Sequence, residues 1–203
     1  IDLISCRESK SAEQIQSHGF DCIVVPDLSL TFDLDGFVSG PESLVSNNPL
    51  VIDNQRWENW IMLGQYAKHF GYPFFTMDSH RSFGSFEGWR RICETLVKGV
   101  KKRAFTKNTF YEIRKAKFLI SGRFHGCCLS ILAHRPIIWF QGKTPKTSGL
   151  FEDANLGSLA IGGEESTDMS IFLDGLREKT IYIENTLKNR FVLDEYQARC
   201  QLF

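Results

Sequence analysis

The sequence carries no surplus of charge. Its 24 lysines and arginines are balanced by 24 aspartates and glutamates, so nothing favours a bulk electrostatic grip on nucleic acid, and no nucleic-acid partner is expected. Long apolar runs are missing too. None approaches the roughly 20 residues that a membrane-crossing helix needs, so no membrane span is expected. The six cysteines, Cys6, Cys22, Cys93, Cys127, Cys128 and Cys200, form no CxxC pair and no Cys/His ligand spacing. That argues against zinc, and no metal is expected. Buried free thiols in a reducing, cytoplasmic compartment follow as the default; a secreted disulfide framework is the alternative. Internal repeats and low-complexity tracts are lacking. So are an initiating Met and a signal-peptide-like start. Ile1 already lies in a strand-like run, so the sequence is expected to be part of a longer chain.

What is present is enough material for one large or two small domains, at 203 residues. An aromatic content of 13% suits a well-packed soluble protein or one that handles sugars. The chain alternates strand-like and helix-like segments. Residues 1–27 read as strand, helix (11–18, ended by Gly19) and strand (22–25). Residues 28–48 hold Gly36, Gly40, Pro41 and a Ser/Asn cluster, which is linker composition. A second α/β unit follows: strand 49–53, helix 56–70 closed by Gly71, strand 72–77, a loop over 82–88 and an amphipathic helix over 87–102. Lys101, Lys102 and Arg103 at its end complement the helix dipole. Asn108 and Thr109 are expected to cap a further helix. Strand 136–140, a helix over 150–154 capped by Thr147 or Ser148, a short strand over 158–161, and helices over 169–177, 183–190 and 193–202 complete the reading.

The stretch 118–134, FLISGRFHGCCLSILAH, organises the rest. It opens as a buried strand, breaks at Ser121 and Gly122, and resumes with apolar residues at helical spacing: Phe124, Cys127, Cys128, Ile131 and Leu132. Ser121, Arg123 and His125 therefore fall where a strand ends and a helix begins. In an open parallel sheet ligands bind there, and the unpaired first amides of a helix attract anions. Arg123 adds a permanent charge able to fork onto a carboxylate or phosphate, and His125 a group that exchanges protons near neutral pH. The same residues admit a purely structural reading, with Gly122 permitting a turn, Arg123 pairing with a carboxylate and His125 capping the helix. Arg7 and Ser9 also stand at a strand's carboxyl end, with Asp27 as a cap or as a partner that holds Arg7. His80 and Arg81 end a third strand, and Lys143 and Lys146 lie just before a helix start.

Four short segments resemble the polysaccharide pyruvyl transferases. SGRFHG at 121–126, followed by LSILAHRP at 129–136 and an apolar strand, is similar to that family's Arg/Ser-Leu/Phe-His-Gly signature. ISCRES at 4–9 resembles a strand-plus-Arg-Asp/Glu-x-x-Ser motif, although Ser9 comes one position early. VPD at 25–27 resembles the Pro-Asp that closes the same unit, and TPKTSGL at 144–150 a Lys-x-x-Gly-Leu segment. The tail after about residue 157 resembles no signature of the family.

The resemblance implies an α/β fold with two Rossmann-like halves, as in GT-B glycosyltransferases. Residues 1–35 would be the end of the first half, 36–47 a linker, 48–165 the second, donor-binding half, and 166–203 C-terminal helices. The first half's glycine-rich opening is not in this sequence. The implied activity is transfer of pyruvate from phosphoenolpyruvate to a sugar of a polysaccharide or glycan, as a ketal. His125 would be catalytic. Arg7, Arg123, Ser121, Gly122, Lys146, His80 and Arg81 would bind substrate, and no cofactor would be needed beyond the donor itself. A sugar-nucleotide glycosyltransferase of GT-B type and a non-catalytic glycan-binding remnant are the alternatives. The acceptor sugar, the linkage and the oligomeric state are not legible in the sequence.

Overall fold

The structure, a computed structural model, describes residues 4–37, 46–77, 99, 103–142, 146–163, 166 and 168–202. The expected loop over 82–88, most of the helix over 87–102, Lys143, His80, Arg81 and Cys93 lie outside them.

In order along the chain stand β1 (Ile4–Cys6), α1 (Ser9–Ser17), β2 (Cys22–Val24), a 3-10 turn (Leu28–Thr31) and α2 (Leu34–Phe37). Then come β3 (Leu50–Asn54), α3 (Trp57–Phe70), β4 (Phe74–Thr76), β5 (Arg103–Ala104), α4 (Lys107–Lys115), β6 (Leu119–Gly122) and α5 (Phe124–Leu132). The series ends with β7 (Ile137–Trp139), α6 (Lys146–Ala154), β8 (Ala160–Gly162), α7 (Met169–Thr186) and α8 (Arg190–Leu202). The fold is α/β, a parallel sheet flanked by helices.

The large sheet has the order β5-β4-β3-β6-β7-β8, with every neighbouring pair parallel. Its central strands are near-continuous apolar runs because they are covered on both faces. Alternation still sorts their side chains. Leu50, Ile52, Leu119 and Ile137 pack on one side with α4, α5, α6 and α8. Val51, Phe118, Ile120 and Ile138 pack on the other with α3 and α7. Tyr66 of α3 and Thr180 of α7 are hydrogen-bonded at 2.8 Å inside that second layer. β1 and β2 form a separate, parallel two-stranded sheet.

That small unit is pressed onto α5 and α6. The Ser9 amide donates to Asp153 Oδ2 (2.8 Å), Lys10 pairs with Glu152 (2.5 Å), and Leu30 of the 3-10 turn packs into the first core layer. Gly149 in α6 makes room for the contact, since a Cβ there would lie 2.6 Å from Cγ of the buried Glu8.

Several expectations are corrected. Arg103 does not end a helix; it opens the edge strand β5. The cap of α4 is Thr106, whose amide donates to Thr109 Oγ1 at 2.9 Å, so Asn108 and Thr109 are already helical. Thr147 and Ser148 lie within α6, which begins at Lys146. The two helices expected over 169–177 and 183–190 are one helix, because Phe172, Leu176, Thr180 and Ile183 make an unbroken buried stripe. Residues 28–37, part of the stretch with linker composition, contain the 3-10 turn and α2, with Leu34 buried.

Candidate functional site

The sheet order reverses between β3 and β6: the chain runs from β3 outward through β4 to β5, then restarts at β6 on β3's other side. At such a switch point the two loops leaving adjacent strands diverge and open a crevice at the carboxyl edge. Here the two turns at that edge are β3–α3 (Asn54, Gln55, Arg56) and β6–α5 (Ser121, Gly122, Arg123). α3 and α5 begin directly after these turns. Their N-cap residues are Arg56 and Arg123, and among the described residues neither N-cap side chain makes a capping hydrogen bond. The open amides and positive dipole ends of both helices therefore face one place.

The floor is a buried charge network. Asp53, the fourth residue of β3, is wholly buried. It accepts from Arg123 Nε at 2.8 Å and Nη2 at 2.9 Å, from Thr76 Oγ1 at 2.7 Å and from the Met77 amide at 3.3 Å. One carboxylate so ties together the ends of β3, β4 and β6. Next to it Asn54 is also buried. Its Oδ1 accepts from the Arg56 amide at 2.8 Å, which aims Nδ2 at Gly122. Nδ2 has no hydrogen-bond partner among the described residues.

Gly122 is required by this packing, because a Cβ at that position would stand 1.9 Å from Asn54 Nδ2. Gly122→Ala is expected to cost about 1–3 kcal/mol through overpacking, read as a lower midpoint in urea unfolding, with no loss of helix by circular dichroism. Ser121 is likewise buried, and its Oγ accepts from the Arg123 amide at 3.1 Å. Its hydroxyl is engaged in the turn.

His125 lies in the first turn of α5 and is exposed, its ring edge-on to Phe124 with centroids 5.7 Å apart. Arg7 reaches the same turn from the small sheet. Its guanidinium sits 5.2 Å from the centroid of the Phe124 ring and pairs with Asp27 at 2.5 Å. Lys146 heads α6 beyond the end of β7. Arg7, Arg123 and His125 are thus gathered around the start of α5, and Ser121 and Gly122 support that turn from within. A cavity of about 570 Å³ lies at the opposite, amino edge of the sheet beside Asn48, Tyr72 and Arg103. None of the residues gathered around the start of α5 lines it.

Residues 1–143 match the model of the polysaccharide pyruvyl transferase family. The chain belongs to that family. Among solved structures, an uncharacterised protein from Klebsiella pneumoniae subsp. pneumoniae is similar with a TM-score of 0.41 and 13% identity, over 80% of this chain and 55% of that one. AviGT4, a glycosyltransferase involved in avilamycin A biosynthesis, is similar with a TM-score of 0.47 and 11% identity, over 97% of this chain and 63% of that one. The chain spans less than two thirds of either neighbour's length. No curated protein sequence matches it.

For a pyruvyl transferase family member, the matched segments land where the geometry is most constrained. The SGRFHG run makes the β6–α5 turn, and ISCRES with VPD brings Arg7 and Asp27 together. Asp53 and Asn54 were missed by sequence reasoning. In the sequence Asp53 reads only as the polar end of an apolar strand, and its partner Arg123 is 70 residues away. A carboxylate directly after an apolar run was the one available signal.

Asp27 is held down to about 2: its burial opposes ionisation, but the Ser29 hydroxyl and amide facing it and the Arg7 guanidinium outweigh that. A carboxyl lowered on folding contributes stability above its unfolded value near 4, and that contribution is lost as pH falls toward 2. Asp27→Asn is expected to flatten the acid limb of the stability curve between about pH 4 and 2, measured by urea midpoints against pH. An unchanged limb would mean that Asp27 is equally acidic in the unfolded chain.

Proposed function

We propose that this chain contains the donor-handling part of a transferase that moves pyruvate from phosphoenolpyruvate onto two hydroxyls of a sugar as a ketal. The observation that carries the reading is the gathering of Arg7, Arg123 and an exposed His125 at the start of α5, beside two uncapped helix ends. The donor has a carboxylate and a phosphate. Open helix amides suit either group, and Arg7 and Lys146 add charge at the rim. Arg123, braced by Asp53, sets the turn that presents the amides and His125.

The chemistry then needs one proton relay. The donor's methylene carbon takes a proton and becomes methyl, leaving an oxocarbenium-like centre. One sugar oxygen bonds there, a second replaces the phosphate oxygen, and phosphate departs. Of the two hydroxyl protons, one balances the new methyl and the other leaves with phosphate. His125 delivers or collects them. The acceptor is a glycan hydroxyl pair, and the setting is cytoplasmic in this reading.

The test uses the full-length enzyme. Phosphoenolpyruvate is expected to raise its melting temperature, and phosphate release is expected only when a glycan acceptor is added, with a new ketal methyl signal by NMR. Stabilisation by UDP- or GDP-sugars with no response to phosphoenolpyruvate would replace this reading with a sugar-nucleotide glycosyltransferase. Binding of a glycan with no phosphate release would make it a glycan-binding protein.

A further inference from the structure

β1 and β2 are three residues each, and a two-stranded sheet of that size is marginal by itself. It also covers little apolar surface: Phe20, Ile23, Val24, Val25 and Leu28 are all exposed. Yet this pair carries Arg7 on the residue after β1 and Asp27 shortly after β2. In the parallel register Ile4 faces Cys22 and Cys6 faces Val24. Residues 4, 6, 22 and 24 therefore share one face, with Cys6 and Cys22 on a diagonal. Their sulfurs are 3.3 Å apart, the Cys22 thiol directed at Cys6 Sγ. A disulfide requires about 2.05 Å, so the sulfurs must approach by little more than an ångström, and on a diagonal the strand backbones shift with them.

We propose that Cys6 and Cys22 are a redox pair whose reversible disulfide staples β1 to β2 and so controls the order of the strands that present Arg7 and Asp27. The oxidant is a peroxide. Cys6, the more exposed of the two, attacks as thiolate and becomes a sulfenic acid with loss of one water. Cys22 sulfur then displaces the second water to form the disulfide. Two thiols and one peroxide thus give one disulfide and two waters, and a dithiol reductant reverses the step. The remaining described cysteines do not compete. Cys127, Cys128 and Cys200 lie in the core, where burial pushes Cys128 and Cys200 up to about 12 and Cys127 well above its ordinary value. Cys6 is itself held above its ordinary value, by the hydrogen bond it shares with Cys22 and by burial, so only its small thiolate fraction reacts and oxidation is slow.

The experiment treats the full chain with hydrogen peroxide, blocks residual thiols and maps disulfides by mass spectrometry, then compares backbone hydrogen exchange of the oxidised and reduced forms. The expected product is a monomer lacking two hydrogens, cross-linked between Cys6 and Cys22. Closing a loop of this length is expected to slow exchange in β1 and β2 by at least about tenfold. Cys6→Ser and Cys22→Ala should each abolish both the cross-link and the slowing. Cross-links to other cysteines or between chains, sulfinic acid at Cys6 with no cross-link, or a cross-link that leaves exchange unchanged would each overturn the proposal. None of these readouts depends on the transfer reaction, so they stand apart from the functional reading.

Discussion

An Asp53→Ala protein is expected to lose about 3–5 kcal/mol of stability, because it removes one partner of a buried ion pair. Arg123 is only 12% exposed and Asp53 not at all, so water has little access to the pair. The same change also leaves the Thr76 hydroxyl and the Met77 amide without their acceptor. For a chain of this size the loss corresponds to a melting temperature lower by roughly 6–20 °C. Asp53→Leu combined with Arg123→Met is expected to recover most of it, since an apolar pair replaces a buried ion pair at little cost. A drop of under 1 °C in Asp53→Ala would show that the pair is solvated in solution. The network has a consequence for Arg123 itself. Arg123→Ala loses the same bond to Asp53, so any fall in its activity mixes a damaged turn with a lost ligand contact. Comparing the apolar double variant with Arg123→Ala separates the two.

His125→Ala is expected to behave in the opposite way. The side chain is exposed, so stability should change by no more than about 0.5 kcal/mol. Turnover in the full-length enzyme should fall about 10²- to 10⁴-fold, the usual worth of a positioned general acid or base. Donor affinity should stay within severalfold, because in the proposed reading the anion is held by helix amides and arginines. A variant that turns over at the parent rate with unchanged melting would end the catalytic assignment. One that melts several degrees lower would mean that the ring serves the turn and not the substrate.

The local pattern of the sequence determined most of the fold. Apolar runs of four or five residues, Gly-closed helices and helical spacing were enough to place β3, β6 and β7 and the cores of α3 and α5, since burial on both faces leaves such runs few alternatives. The SGRFHG turn was legible for the same reason: a glycine between a strand and a helix start marks where a parallel sheet presents its ligands. Boundaries decided by tertiary contacts were not legible. β5 is two residues whose only reason to be extended is the edge of β4, and α7 continues past Arg177 because its buried stripe finds a layer to cover. The same holds for the site's chemistry. That Arg123 is braced by Asp53, that Asn54 packs where Gly122 lacks a side chain, and that Arg7 arrives over Phe124 all depend on contacts spanning 68 to 117 positions along the chain. Such pairings follow from which strands become neighbours. Strand order is set by how the two apolar layers close around the sheet, a property of the whole chain and of no single stretch of it.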